Sequence, residues 1–165
     1  MKRLIGLASV FLLVSCGFKP AVSWSKIDGP VNLVSQTPFN DVERELNSLI
    51  QQSLASFDEI PEPDGPRRIE LAPLETTTEV ISVDSNGRPA EYRIQLTQDA
   101  TFLIGDAEYA QQFSQQGEYV FDVRDILAYK QQLQQLELTL SKRLAQQIMF
   151  AFASRLNAPG VTDAN

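Results

Sequence analysis

Residues Glu91 to Ile104, EYRIQLTQDATFLI, constrain the fold most. Tyr92, Ile94, Leu96, Ala100, Phe102 and Ile104 share one parity, and Arg93, Gln95, Thr97, Asp99 and Thr101 share the other. A period of two is that of a β-strand with one apolar and one polar face. Fully extended, the run reaches about 45 Å at roughly 3.3 Å per residue, longer than a usual strand. Turn signals bound it. Asn86-Gly87 precedes it between alternating segments and reads as a hairpin turn. Gly105-Asp106 follows it and leads into a weaker alternating segment, AEYAQQFSQQGEYVFDV, anchored by Tyr109, Tyr119 and Phe121. Upstream, RRIELAPLETTTEVISV is rich in β-branched residues, with Pro73 marking a bend, a bulge or an edge position. PVNLVS, from Pro30, alternates Val31 and Leu33 against Asn32 and Val34 and reads as a first strand.

Two stretches carry helical spacing instead. Asn40 with Glu43 three residues on is a weak capping box. Val42, Leu46, Leu49, Ile50, Leu54 and Phe57 then fall on one face, with Glu43, Arg44, Glu45, Gln51 and Gln52 on the other. PEPDGP, from Pro61, ends that helix in a loop. A second, longer helix is expected from about Asp125 to Leu156. Leu133, Leu136, Leu140, Leu144, Ile148, Phe152 and Leu156 form its stripe, widened by Met149. Steps of three and four suit a coiled coil or a helix lying on a sheet. The charges do not follow a coiled-coil pairing pattern, which favours the sheet-packing helix. The fifteen glutamines, many in pairs, sit largely on polar faces. They read as a solvated surface, or as a wet interface inside another protein, where neutral polar groups serve better than charges.

The N-terminus has a different grammar. Met1, Lys2 and Arg3 open it with positive charge, and Leu4 to Val14 is apolar but too short to span a bilayer, which takes about 20 residues. This is the order of a secretory signal peptide. Leu13-Val14-Ser15-Cys16 replaces the usual cleavage pattern and resembles the bacterial lipobox, in which the cysteine is acylated. Cys16 is the only cysteine. Gly17 follows it rather than the Asp that would imply inner-membrane retention, so the resemblance points to the outer membrane. Each buried CH₂ of an acyl chain contributes about 0.8 kcal/mol, and two or three chains anchor effectively for good. The expected organisation is a signal peptide over 1–15, a lipidated tether over 16–29, one domain over 30–157 and a loose tail over 158–165.

Composition excludes much else. Loss of Lys2 and Arg3 with the leader takes the formal charge from −7 to −9, a poor field for nucleic acid. With no histidine there is no imidazole base and no His-containing zinc site. No phosphate-cradling glycine loop occurs. DSNGRP, from Asp84, has its Gly at the fourth position and Arg88 in a ligand slot, so it is not an EF-hand loop. No enzyme activity, cofactor or metal is expected.

Three places in this order of elements resemble one family, the lipopolysaccharide-assembly lipoproteins of the LptE (RlpB-like) type. They are CGF followed by Lys19, the hairpin SNGRPAEYRIQLTQDATFLI from Ser85, and the closing helix SKRLAQQIMFAFASRL from Ser141. The resemblance implies an α+β fold, two helices on one face of a four-stranded, mostly antiparallel sheet. It implies a lipoprotein seated in the LptD outer-membrane β-barrel, assisting barrel assembly and lipopolysaccharide delivery. It also implies lipopolysaccharide contacts through basic residues near the hairpin turn and the start of the second helix. Arg88 and Lys130 are the candidates here, although Ser85 stands where some members are basic. A generic envelope scaffold lipoprotein without direct lipopolysaccharide binding is the alternative. A small-ligand carrier would need an apolar pocket that two helices on one sheet leave little room for.

Overall fold

The computed structural model describes residues 30–35, 40–55, 65–121 and 126–157. Cys16, the leader, the tether, Phe57 and the tail all lie outside them. Seven elements follow in order: β1 (Asn32–Ser35), α1 (Asp41–Leu54), β2 (Arg67–Leu71), β3 (Glu75–Val83), β4 (Pro89–Ile104), β5 (Ala107–Val120) and α2 (Ile126–Leu156). The architecture is α+β, with two helices and one mixed sheet.

The sheet has five strands, not the expected four. The extra strand comes from Arg67–Val83, which the chain breaks in two at Ala72, Pro73 and Leu74. Pro73 has no N–H to give to a ladder, and the break falls there. β4 is the central strand. β2 pairs antiparallel with its C-terminal part, Ala100 to Ile104, and β3 antiparallel with its N-terminal part, Pro89 to Thr97. The two therefore share one edge of β4. β5 takes the whole other edge, from Glu91↔Val120 to Ile104↔Ala107. β1 lies outermost beside β2 and parallel to it, the one parallel pairing among the described residues, reached through α1.

Turn chemistry sets the two hairpins. Gly105 has φ 59 and is the first of two loop residues between Ile104 and Ala107, the arrangement of a type II′ turn. The other hairpin uses three loop residues rather than the two-residue Asn-Gly turn. Gly87 N–H donates to the Asp84 carbonyl at 2.9 Å, Asp84 N–H donates to the Arg88 carbonyl at 2.7 Å, and Gly87 takes φ 76. A left-handed glycine closing a three-residue loop is the usual solution at that length.

The even-numbered residues of β4 face both helices. Ile94, Leu96, Phe102 and Ile104 meet Leu46 and Ile50 of α1 and Leu140, Leu144, Ile148 and Phe152 of α2 in one buried cluster. Phe152 lies edge-on to Phe102, centroids 5.5 Å apart. The long helix packs on the sheet and on α1, as the non-coiled-coil reading expected. At α1, Asn40 is the N-cap and accepts from Glu43 N–H at 2.7 Å. Glu43 itself departs from expectation. It is buried, and its carboxylate accepts from Leu74 N–H at 3.3 Å.

Gln98 shows how the strand break is tolerated. It occupies an even, core-facing position opposite the gap between β2 and β3, and is 1% exposed. Its amide donates to the carbonyls of Ala72 at 2.6 Å and Asp99 at 2.9 Å. Ala72 N–H donates to Asp99 O at 3.1 Å. Glu43 and Gln98 thus serve backbone groups that the interrupted ladder leaves over.

Candidate functional site

Two surfaces are candidates: the hairpin end of the sheet and the sheet face that no helix covers.

At the hairpin end, Tyr92, Tyr119, Phe121 and Tyr129 form one aromatic cluster. Tyr92 stacks on Tyr119 at 5.4 Å, and Phe121 meets Tyr129 edge-on at 4.9 Å. Tyr119 and Tyr129 lie 5.6 Å apart, and Tyr92 and Phe121 5.9 Å. β4, the end of β5 with the residue after it, and the first turn of α2 each contribute rings. The sequence pointed to Tyr119 and Phe121 only as strand anchors. What joins them to Tyr129 is the return of α2 over β5, which no local period encodes. Burial, helped by its hydrogen-bonded neighbour Tyr129, pushes the Tyr119 phenol up to about 12.

Arg88 and Lys130 stand close to this cluster along the chain. Lys130 follows Tyr129 directly. Arg88 stands two residues before Ala90, whose carbonyl accepts from Phe121 N–H at 2.8 Å. The fold therefore brings both cations to one end of the molecule. They differ in freedom. Asp84 Oδ2 accepts from Arg88 Nε at 3.0 Å and pairs with Nη2 at 2.9 Å. Asp84 Oδ1 accepts the N–H groups of Asn86 and Arg88. The Arg88 N–H bond leads the contacts that hold the Asp84 carboxyl below its ordinary value. Arg88 is thus a preset fork with its outer guanidinium still exposed, while Lys130 is an exposed point charge with no ion pair among the described residues. Val80, Val83, Val120 and Leu127 leave apolar side chains in solvent at the same end.

The helix-free face of β3, β4 and β5 has neutral polar pairs at its middle, with Glu79, Glu91, Asp99, Glu108 and Glu118 around them. Gln95 lies opposite Gln116 and Thr97 opposite Ser114, with Thr77 and Glu75 beside them on β3. Its one strong cation, Arg93, is satisfied within the face by Glu118 at 2.8 Å and Glu79 at 3.8 Å. Among the described residues no group of three or more acidic or thiol side chains could hold a metal ion. No helix there is long and apolar enough to cross a membrane.

The arrangement is α+β, two helices on one mixed sheet, and sequence comparison makes the class specific. The family model described as LptE, lipopolysaccharide-assembly, matches residues 31–152, and the chain belongs to that family. Solved structures share the fold. Rare lipoprotein B from Shewanella oneidensis superposes with a TM-score of 0.65 at 16% identity, over 77% of this chain and 96% of that one. An uncharacterized lipoprotein B from Nitrosomonas europaea gives 0.63 at 17% identity, over 78% and 84%. A minor lipoprotein from Acinetobacter baumannii gives 0.57 at 15%, over 76% and 91%. At these identities the likeness is one of fold. No curated protein matches the chain.

Proposed function

We propose that this protein is a non-enzymatic outer-membrane lipoprotein, anchored through acylated Cys16, that sits within an LptD-type β-barrel and serves barrel assembly and lipopolysaccharide delivery. The observation that carries the reading is the helix-free sheet face. It is broad and hydrogen-bonding, with the neutral pairs Gln95–Gln116 and Thr97–Ser114 at its middle and its cation Arg93 satisfied within the face. A barrel lumen is a polar, water-containing surface, and neutral polar pairs suit contact with it better than unpaired charges do. Family membership supports the same pathway. Arg88 and Lys130, set at one end beside an aromatic cluster, are the groups proposed to meet lipid A phosphates, Arg88 as a fork and Lys130 as a point charge.

A gentle detergent pull-down of the tagged protein from outer membranes tests the partner. A heat-modifiable barrel recovered at about one-to-one and identified as LptD is the expected result. Lipidated, folded protein without a barrel would leave the scaffold alternative. Charge reversal at both candidates, Arg88→Glu with Lys130→Glu, is expected to weaken lipopolysaccharide binding without unfolding. Unchanged binding returns both residues to plain surface.

A further inference from the structure

β5 offers its whole outer edge. It pairs with β4 along one side, and no strand occupies the other side among the described residues. The hydrogen-bond parity of that edge is fixed at both ends. The two-residue turn joins Ile104 to Ala107, and Phe121 N–H donates to Ala90 O, so the odd residues of β5 bond to β4. The even residues, Ala110, Gln112, Ser114 and Gln116 among them, therefore present N–H and C=O outward. Natural edges are usually blunted by charge, proline, bulges or shortness. From Tyr109 to Gly117 this edge has no charged residue and no proline, and its register with β4 runs without a shift. Beside it lies an open groove of about 910 Å³ between β5 and α2, lined by Gln111, Phe113, Gln115, Gln147 and half-exposed Phe150, with Arg143 as its one charged lining residue.

We propose that this edge and groove bind an extended segment of another polypeptide by strand addition, the segment being uncharged over about nine residues and placing a carboxylate against Arg143. A second copy fits poorly. Symmetric antiparallel pairing centred on Phe113, the middle of the uncharged run, sets Glu108 opposite the Glu118 of the other copy, twice over. Like charges directly opposite are destabilising. For the partner's identity the proposal rests on the reading above: the segment belongs to the barrel. A closed barrel wall has no free edge, so the segment is one lying outside that wall.

The test uses the full-length lipoprotein in cells, with a photo-crosslinking residue at Gln111 and, separately, Ser114→Pro and Ser114→Lys. Ser114 N–H faces outward, so proline there removes an edge donor without touching the β4–β5 ladder. Lysine adds the kind of charge that blunts natural edges. The expected result is a crosslink from Gln111 to the barrel, lost in both variants, with barrel recovery reduced roughly tenfold and circular dichroism unchanged. If Ser114→Pro misfolds, Ser114→Lys carries the test alone. Undiminished barrel recovery in the folded variants overturns the inference while leaving the proposed function standing. So does a Gln111 crosslink to a second copy or to residues 1–29 or 158–165 of the same chain. If the unmutated protein recovers no barrel, the functional reading falls and takes this one with it.

Discussion

Single side chains do work here that their type would not announce. Gln98 is a polar residue on the apolar parity of β4, and its amide serves the Ala72 carbonyl at the strand break. Gln98→Leu keeps the volume and removes the donor, so it is expected to destabilise by about 1–3 kcal/mol, read as a lowered denaturation midpoint. Tyr119 makes a prediction in pH. Its phenol ionises near 12 in the folded protein against an ordinary 10.0. The folded pKa is raised, so its contribution to stability is complete below pH 10 and is lost as pH climbs from about 10 to about 12. Absorbance titration should show a tyrosinate that forms near pH 12, and Tyr119→Phe should abolish that late step.

At the scale of elements, α2 is one helix with two environments. Its C-terminal half buries Leu140, Leu144, Ile148 and Phe152 completely, while Leu127 near its start is 76% exposed. Leu144→Ala is expected to lower stability by about 2–5 kcal/mol, and Leu127→Ala to stay within about 0.5 kcal/mol, by thermal or denaturant unfolding. Where the exposed half crosses β5, Gly117 allows the approach. A Cβ there would stand 2.6 Å from a terminal methyl of Leu136. Alanine can be met by a shift of that one flexible side chain. Gly117→Val cannot, and a loss of about 1–3 kcal/mol is expected in the same assay.

For the whole molecule, anchoring and partnership are the questions. Cys16→Ala is expected to leave an uncleaved or mislocalised precursor, seen by mass and membrane fractionation. Normal acylation of that variant would sink the lipoprotein reading. Most of the architecture was legible beforehand. The β4 alternation, the α1 stripe with its Asn40 cap and the α2 stripe each arise from a local period, and each element formed where that period placed it. The strand count was not legible, because RRIELAPLETTTEVISV reads as one β-rich run with a proline in it. Only the pairing with β4 shows it to be two strands sharing an edge.

Of the candidate site, Arg88 and Lys130 could be named from their positions in the family pattern, but not the Asp84 grip on Arg88 or the aromatic cluster at the same end. The sequence alone determined which segments are strands and helices and which faces are apolar, since those follow from the spacing of side chains along a local backbone. The tertiary structure alone decided that Glu43 and Gln98 go inside, that four aromatic rings meet, and that β5 keeps one edge unpaired among the described residues. Each of these depends on which distant segments are brought together, and no local period carries that information.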